Sequence, residues 1–244
     1  MTAPARWLQR WDAQQEGYLP DREERFEVLV DLVEAVAGPR PRVVDLACGP
    51  ASLATRMLAR LPDAEVVGVD TDPVLLALAR STASPGLTLV DADLREPGWA
   101  GHLPAGPYDA VVSTTALHWL HEPDLRQVYA ACAGLLRPGG LLVNGDHLRA
   151  HGSPRLVELA LGLDQRRAER HAVQAEDWAA WWSAVRQDRE LGDALAERDR
   201  RAFDHPERSE TSREVHERAL RDAGFSEVDV LWRKGTDTVL AALR

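Results

Sequence analysis

Lysine is almost absent from this chain of 244 residues: Lys234 is the single one, and arginine carries the rest of the positive charge. The 29 basic side chains are outnumbered by 39 acidic ones, which gives a net charge of −10. An acidic chain is repelled by nucleic-acid phosphates unless its positive charge is gathered on one face. We therefore expect no nucleic-acid partner.

Cysteine and long apolar runs are also scarce. The two cysteines, Cys48 and Cys132, form neither a disulfide framework nor a zinc-binding spacing. No apolar run approaches the ~18 residues of a membrane helix, and the N-terminus lacks the apolar core of a signal peptide. These absences predict a cytoplasmic protein without membrane association. A hydrophobic fraction of 45% supports one large core with room for a subdomain.

Short buried strands alternate with amphipathic helices over about residues 25–146. The predicted strands are Val43–Leu46, Val66–Val69, Leu87–Val90, Tyr108–Ser113 and Leu141–Asn144. The predicted helices are 21–37, 52–61, 73–82 and 125–136, and Arg137–Gly140 is predicted as a sharp turn. This alternation is typical of an α/β fold, a doubly wound, Rossmann-like parallel sheet.

The pattern changes after His147. Residues 153–200 have helical character and predict an inserted helical cap, followed by a polar loop to Thr211. A helix over Ser212–Ala223 then precedes two strands, Val228–Trp232 and Thr238–Leu243, joined as a hairpin through Lys234-Gly235. The predicted units are an N-terminal aromatic arm and helix covering the site (1–37), a ligand-binding core (38–147), the cap (148–211) and a C-terminal completion of the core (212–244).

The first strand leads into a tight turn, Asp45-Leu-Ala47-Cys48-Gly49-Pro-Ala51, and a second acid, Asp70, follows Gly49 by 21 residues. A strand, a glycine turn onto a helix and an acid about 20 residues later are typical of adenosine-binding α/β proteins. A dinucleotide site would have glycine at all three motif positions, but Ala47 and Ser52 occupy the outer two. A nicotinamide enzyme is therefore disfavoured.

Acids end three successive strands, at Asp45, Asp70 and Asp93. S-adenosylmethionine carries no phosphate but offers an ammonium, a ribose diol and an adenine. Asp45 suits the ammonium, Asp70 can accept both ribose hydroxyls, and Asp93 with Leu94 offers a polar and an apolar edge to adenine.

Five blocks in order resemble the class I S-adenosylmethionine-dependent methyltransferases. They are Val43–Pro50, Gly68–Pro73, Asp91–Leu94, Tyr108–Ser113 and Leu135–Gly140. The resemblance implies a seven-stranded sheet ending in an antiparallel hairpin, with S-adenosylmethionine as cofactor and S-adenosylhomocysteine as product. The candidate cofactor-binding residues are Asp45, Ala47, Cys48, Gly49, Asp70, Thr71, Asp93, Leu94, Ser113 and Thr114. Ala47 and Ala51 depart from the family's glycines and narrow the room around the methionine tail.

The segment Ala116–Asp124, with Trp119, is similar to the trans-aconitate methyltransferase group, as are Trp11 and the spacing from Tyr18 to Arg25. This resemblance implies a small-molecule acceptor of the kind methylated in secondary metabolism. The candidate acceptor-binding residues are Trp11, Tyr18, Arg25, Trp119 and Arg149.

The acceptor atom stays open between hydroxyl, amine and carboxylate. A hydroxyl would need a general base, and His118 and His147 follow the fourth and fifth strands. A carboxylate would instead want arginine, and the candidates in the cap are Arg149, Arg155, Arg166 and Arg170. Trp178, Trp181 and Trp182 fit either the cap core or an acceptor pocket.

Three further expectations complete the sequence-based hypothesis. Ser113 ends the fourth strand where a metal-dependent member would carry an acid, so no metal is expected. The alternative function is an S-adenosylmethionine-binding protein of the same fold that does not methylate, either cyclase-like or regulatory. A homodimer is left open.

Overall fold

The computed structural model describes residues 3–82, 84–149, 154–170, 176–201 and 212–244. The helices over these residues are α1 (Ala3–Tyr18), α2 (Arg22–Ala37), α3 (Ser52–Arg60), α4 (Pro73–Arg80), α5 (Glu122–Leu135), α6 (Pro154–Arg170), α7 (Trp178–Val185), α8 (Gly192–Arg200) and α9 (Arg213–Asp222). The strands are β1 (Arg42–Leu46), β2 (Glu65–Asp70), β3 (Leu87–Asp91), β4 (Tyr108–Thr114), β5 (Leu136–His147), β6 (Glu227–Lys234) and β7 (Asp237–Leu243). No helix in these ranges is long and apolar enough to cross a bilayer.

The strands form one seven-stranded sheet in the order β3-β2-β1-β4-β5-β7-β6. Strands β1 to β5 run parallel, whereas β7 pairs antiparallel with both β5 and β6. The predicted doubly wound sheet with a C-terminal antiparallel hairpin is therefore confirmed. The strand order reverses between β1 and β4, and the crevice beyond the carboxyl ends of these strands is where such sheets bind ligands.

Alternating side chains of β1 supply the cores on the two faces of the sheet. Val43 packs with Phe26 and Met57, under α2 and α3. Val44 belongs to the opposite core, with Leu125 of α5 and Leu220 of α9. This division follows from the two-residue period of a strand, and it explains why β1 is an uninterrupted apolar run before Asp45.

Side chains cap the N-termini of α4 and α9. Asp72 caps α4 by accepting hydrogen bonds from the amides of Val74 (2.9 Å) and Leu75 (3.3 Å), and Pro73 occupies the first helical position. Ser212 caps α9 by accepting from the Val215 amide. Each cap contributes about 1 kcal/mol to helix stability.

Strand β5 begins five residues earlier than expected, because Arg137–Gly140 is part of the strand and not a turn. Tyr108 pairs with Leu136 and Ala110 with Leu141, so the extra residues form a bulge against β4. The Pro-Gly-Gly pattern indicates a turn locally. Pairing with the last residue overrides it, since the Gly139 amide donates to the Arg244 carbonyl at 2.8 Å.

The predicted N-terminal aromatic arm is helical from Ala3 to Tyr18, and this helix, α1, packs against α4 and α7. A third core lies here, with Trp7 and Trp11 of α1 against Leu75 of α4 and the fully buried Trp181 of α7. The described parts of the predicted cap, α6 to α8, are helical. The predicted loop to Thr211 falls, apart from its first two residues, outside the described part of the chain.

Candidate active site

A cavity of about 600 Å³ opens beyond the carboxyl ends of β1 to β4 and is covered by α1, the start of α2 and α7. Its volume is within the range of small-molecule sites. The predicted residues that line it are Trp11, Tyr18, Ala47, Cys48, Gly49, Asp70, Thr71, Asp93, Leu94, Thr114, His118, Trp119 and His147. The structure thus brings most of the predicted site residues to one cavity.

The turn after β1 is built in the left-handed backbone region. Ala47, Gly49 and Ala51 have φ of 50°, 55° and 65°. Holding alanine there costs on the order of 1 kcal/mol each, and the surrounding fold must offset that cost. Ala47 lines the cavity, whereas Ala51 is buried and does not. Only the first alanine therefore narrows the cavity, which corrects the expectation for Ala51.

Asp70 fastens this turn to the end of β2. One carboxylate oxygen accepts from the Gly49 amide and the other from the Asp72 amide, both at 2.8 Å. Burial raises the pKa of Asp70 to about 6, although these backbone donors oppose the shift. Each oxygen retains an acceptor position, so the carboxylate can still bind two ligand hydroxyls.

Asp45 does not line the cavity, contrary to expectation. It is 1% exposed, and neither of its carboxylate oxygens has a hydrogen-bond partner. Burial raises the pKa of Asp45 to about 8, and the neighbouring charge of Asp70 adds to the shift. The acid is therefore largely protonated at neutral pH.

Ser113 also does not line the cavity, which corrects its predicted role in ligand contact. Its hydroxyl donates to the Leu46 carbonyl at 3.0 Å and ties β4 to β1. The next residue along β4, Thr114, does line the cavity. At this strand end, Thr114 is therefore the residue placed to contact a ligand in the cavity.

Asp93 follows β3 and accepts hydrogen bonds from the guanidinium of Arg95, with a shortest distance of 2.6 Å. Partial burial raises the pKa of Asp93, but the hydrogen bonds and charge of Arg95 outweigh burial and lower it overall. Leu94 between them is buried and lines the cavity. This edge keeps the predicted combination of an ionised acceptor and an apolar side chain.

His118 is held by a buried carboxylate that the sequence-based prediction did not include. Its Nδ1 lies 2.8 Å from Asp146 Oδ1, and its own amide donates to Asp146 Oδ2 at 3.1 Å. Burial alone would raise the pKa of Asp146, but His118 and Arg25 lower it well below the usual range. An ionised Asp146 can only accept at Oδ1, so Nδ1–H of His118 is the donor, and Nε2 is the ring nitrogen directed away from this carboxylate.

His147 is oriented by a second chain of hydrogen bonds. The Thr236 hydroxyl donates to Asp164 at 2.7 Å and therefore accepts from Nδ1 of His147, 3.1 Å away. Burial lowers the pKa of His147, so its imidazole is neutral at physiological pH. In His147, Nδ1 therefore carries the proton and Nε2 keeps its lone pair.

Two predicted acceptor arginines lie elsewhere. Arg25 is 0% exposed, pairs with Asp237 at 2.8 Å and donates to the hydroxyls of Thr114 and Thr115. Arg25 thus holds two residues of the cavity wall, Thr114 and Thr115, without lining the cavity itself. Arg149 is exposed and does not line the cavity, and neither do the other cap arginines proposed for a carboxylate, Arg155, Arg166 and Arg170.

Arg22, one turn before Arg25, is the arginine of α2 that lines the cavity. Burial lowers its pKa, and it donates to Asp12 Oδ1 at 2.9 Å. The Ser52 hydroxyl donates to the same oxygen at 2.9 Å, so the guanidinium lies beside the N-terminus of α3. The sequence-based prediction also missed Gln15, Asp72 and Thr115 as wall residues. Of the three tryptophans left open between cap core and acceptor pocket, Trp178 and Trp182 line the cavity.

No group of three or more metal-ligating side chains occurs within the described ranges. The cavity instead combines a glycine turn on a helix, an acid at the next strand end and an oriented histidine. Fold and site together define a doubly wound α/β protein with an adenosine-type ligand site at the switch in strand order.

Comparison with known proteins indicates which family this α/β protein resembles. Residues 43–140 match the family described as "Methyltransferase domain". Curated relatives include trans-aconitate 2-methyltransferases from Azoarcus sp., 38% identical over 54% of this chain and 49% of the relative, and from Streptomyces avermitilis, 35% identical over 54% and 49%. The chain spans about half the length of the curated relatives it matches.

Solved structures share the fold. An S-adenosylmethionine-bound amino pentose methyltransferase from Micromonospora echinaspora superposes with a TM-score of 0.60 at 19% identity, over 96% of each chain. A putative O-methyltransferase from Nostoc punctiforme gives 0.61 at 14% identity, over 95% of this chain and 60% of that one. Residues 43–140 thus match a methyltransferase-domain family, and the chain shares the fold of solved S-adenosylmethionine-dependent methyltransferases, in agreement with the family resemblance of its sequence.

Proposed function

We propose that this protein transfers a methyl group from S-adenosylmethionine to a hydroxyl of a small molecule. The observation that carries the proposal is the pairing of His118 with Asp146 on the wall of the cavity that holds the Gly49–Asp70 turn. A methyl donor and an oriented base in one cavity are what O-methylation requires. Nothing in the site or among the relatives favours the non-methylating alternative.

The residues present fit S-adenosylmethionine. Asp70 keeps an acceptor position on each oxygen for the two ribose hydroxyls, and Asp93 with Leu94 suits adenine. The methionine carboxylate fits the guanidinium of Arg22 and the backbone amides at the start of α3.

When bound, this cofactor supplies an electrophilic methyl group on a sulfonium sulfur. The protein's part is therefore alignment, which contributes roughly 7–11 kcal/mol in well-oriented reactions. The indoles of Trp11 and Trp178 lie over the cavity from α1 and α7, with ring centroids 5.5 Å apart. We assign to residues 1–37 and to the cap, 148–211, the role of covering the site and excluding water.

His118 acts as the general base in this proposal. The acceptor's hydroxyl proton passes to Nε2 as the oxygen–carbon bond forms and the carbon–sulfur bond breaks, with sulfur keeping the electron pair. The buried charge of Asp146 stabilises the imidazolium that results. His147 offers a second Nε2 that can hold the acceptor hydroxyl in place.

The test is release of S-adenosylhomocysteine by the wild type and by His118→Ala, together with calorimetric cofactor binding. We expect the variant to lose most turnover and to keep its cofactor affinity. His102→Ala is the matched control, because His102 is exposed and does not line the cavity. Equal turnover in wild type and His118→Ala would refute the base assignment, and failure of the wild type to bind the cofactor would refute the proposed function.

A further inference from the structure

We infer that the acceptor is a flat, mostly apolar molecule carrying an acidic hydroxyl, a phenol or an enol, and not a polycarboxylate. The inference rests on the proposed function and names the substrate class of the same site. It separates this protein from the relatives named trans-aconitate 2-methyltransferase, whose name denotes a tricarboxylate acceptor.

Three partly exposed aromatic side chains line the cavity. Tyr18, Trp119 and Trp178 line the cavity while 53%, 38% and 37% exposed. The indole of Trp119 lies 4.8 Å from the imidazole of His118, ring centre to ring centre. The Tyr18 hydroxyl accepts from the Trp178 amide at 3.1 Å, which joins α1 to α7 over the cavity. Exposed aromatic surface gathered in one concavity marks a binding site for an apolar ligand.

The charge of the wall opposes a polyanion. Three carboxylates line the cavity among the described residues, namely Asp70, Asp72 and Asp93, against two guanidinium groups, Arg22 and Arg95. Arg22, which pairs with Asp12 at 2.9 Å, is assigned to the carboxylate of the cofactor, and Arg95 pairs with Asp93 at 2.6 Å, so neither guanidinium is left for the acceptor. Such a wall suits a cationic sulfonium, but a tricarboxylate would enter it largely unpaired, at a high desolvation cost.

The arginines that could have formed a carboxylate site are used in other ways. Arg25 is buried against Asp237, and Arg198 pairs with Asp72 at 2.7 Å while its guanidinium stacks on Trp182. Arg167 of α6 pairs with Asp164 at 2.6 Å. These arginines thus pair with carboxylates of the protein and do not form a binding site for an acceptor carboxylate.

The base specifies the acceptor atom. A carboxylate is already ionised and needs no base, whereas a phenol or enol loses its proton during transfer. A carboxylate acceptor would make no use of the His118–Asp146 pair as a base. Aromatic walls and an oriented base therefore point to the same class of molecule.

The experiment measures S-adenosylhomocysteine release with a panel of monocyclic and bicyclic phenols, 2-naphthol among them, and with trans-aconitate. We expect turnover with members of the phenol panel and none with trans-aconitate. Turnover of trans-aconitate at an equal or higher rate would overturn the inference, as would failure of the phenol panel to bind the S-adenosylhomocysteine complex by calorimetry. Failure of the wild type to bind the cofactor would instead refute the proposed function.

Trp119→Ala tests the aromatic contact separately. We expect KM for the phenol to rise by about three- to tenfold, the effect of losing one aromatic contact, with unchanged cofactor affinity. Trp232→Ala is the control, because Trp232 is on β6 and does not line the cavity. An unchanged KM in Trp119→Ala would contradict stacking of the acceptor beside His118.

Discussion

Asp146→Asn perturbs the proposed base without touching the acceptor. Asp146 accepts three hydrogen bonds, from the His118 amide, His118 Nδ1 and the His147 amide. In the variant, one carboxylate oxygen becomes an NH2 group that cannot accept a hydrogen bond, and the negative charge that stabilises the imidazolium of His118 is lost. His118 is then a weaker base, so the substitution should act on turnover.

The expected magnitude follows from the hydrogen bond that is lost. A hydrogen bond to a charged group contributes roughly 1.5–3 kcal/mol, which corresponds to a fall in kcat of about 10- to 100-fold. Cofactor affinity should change little, because Asp146 does not line the cavity. The assay is steady-state release of S-adenosylhomocysteine with saturating acceptor, alongside calorimetry with the cofactor.

A double-mutant cycle separates positioning from general damage. In a His118→Ala background, Asp146→Asn should have almost no further effect on kcat, since the two residues act as a unit. Asp63→Asn, at an exposed acid, controls for the change of charge. If the effects of Asp146→Asn and His118→Ala multiply, Asp146 acts through the fold and the proposed dyad is refuted.

Three further outcomes are expected. Cofactor affinity should fall as pH drops through about 6, because protonation of Asp70 removes a hydroxyl acceptor. The variant Asp70→Asn should bind the cofactor weakly at every pH. A wild-type affinity that does not depend on pH would contradict this expectation. The folded-state pKa of Asp45 is about 8 against 3.8 unfolded, so burial of this acid costs stability as pH rises from about 4 to 8. Asp45→Asn should therefore raise the Tm of the ligand-free protein at pH 8 and hardly change it at pH 4, and an equal change at both would oppose that reasoning. Arg22→Met should weaken cofactor binding by about tenfold or more, because a charged hydrogen bond is lost. The control Arg60→Met, at the exposed end of α3, should leave cofactor affinity unchanged. Equal affinities of the two variants in calorimetry would show that Arg22 does not bind the cofactor.

The sheet could be predicted from the sequence because its signals are local. Val43-Val44 is apolar on both faces, and Asp72-Pro73 carries the chemistry of a helix start in two residues. The long β5 could not be predicted, since its first residues pair with Arg244, about a hundred positions away. The Pro-Gly-Gly pattern predicts a turn in an isolated segment, and that prediction is wrong here because the segment pairs with the end of β7.

The site divides in the same way. Gly49 and Asp70 follow strands in a known motif, so their meeting at 2.8 Å could be expected. Arg22 and Arg25 are one turn apart on α2. The sequence does not indicate that Arg25 is the one that pairs with Asp237, which leaves Arg22 to line the cavity. His118 and Asp146 are 28 positions apart and meet because β4 and β5 pair in register.

The central claim is that the cavity binds S-adenosylmethionine through the turn at Gly49 and the acid at Asp70. Calorimetric titration with this cofactor, on the wild type and on Asp70→Ala, tests it most directly. The account predicts saturable binding to the wild type and a dissociation constant more than tenfold higher in the variant, because a buried acceptor for two hydroxyls is lost. Identical dissociation constants for the two proteins, or no binding to the wild type, would contradict it.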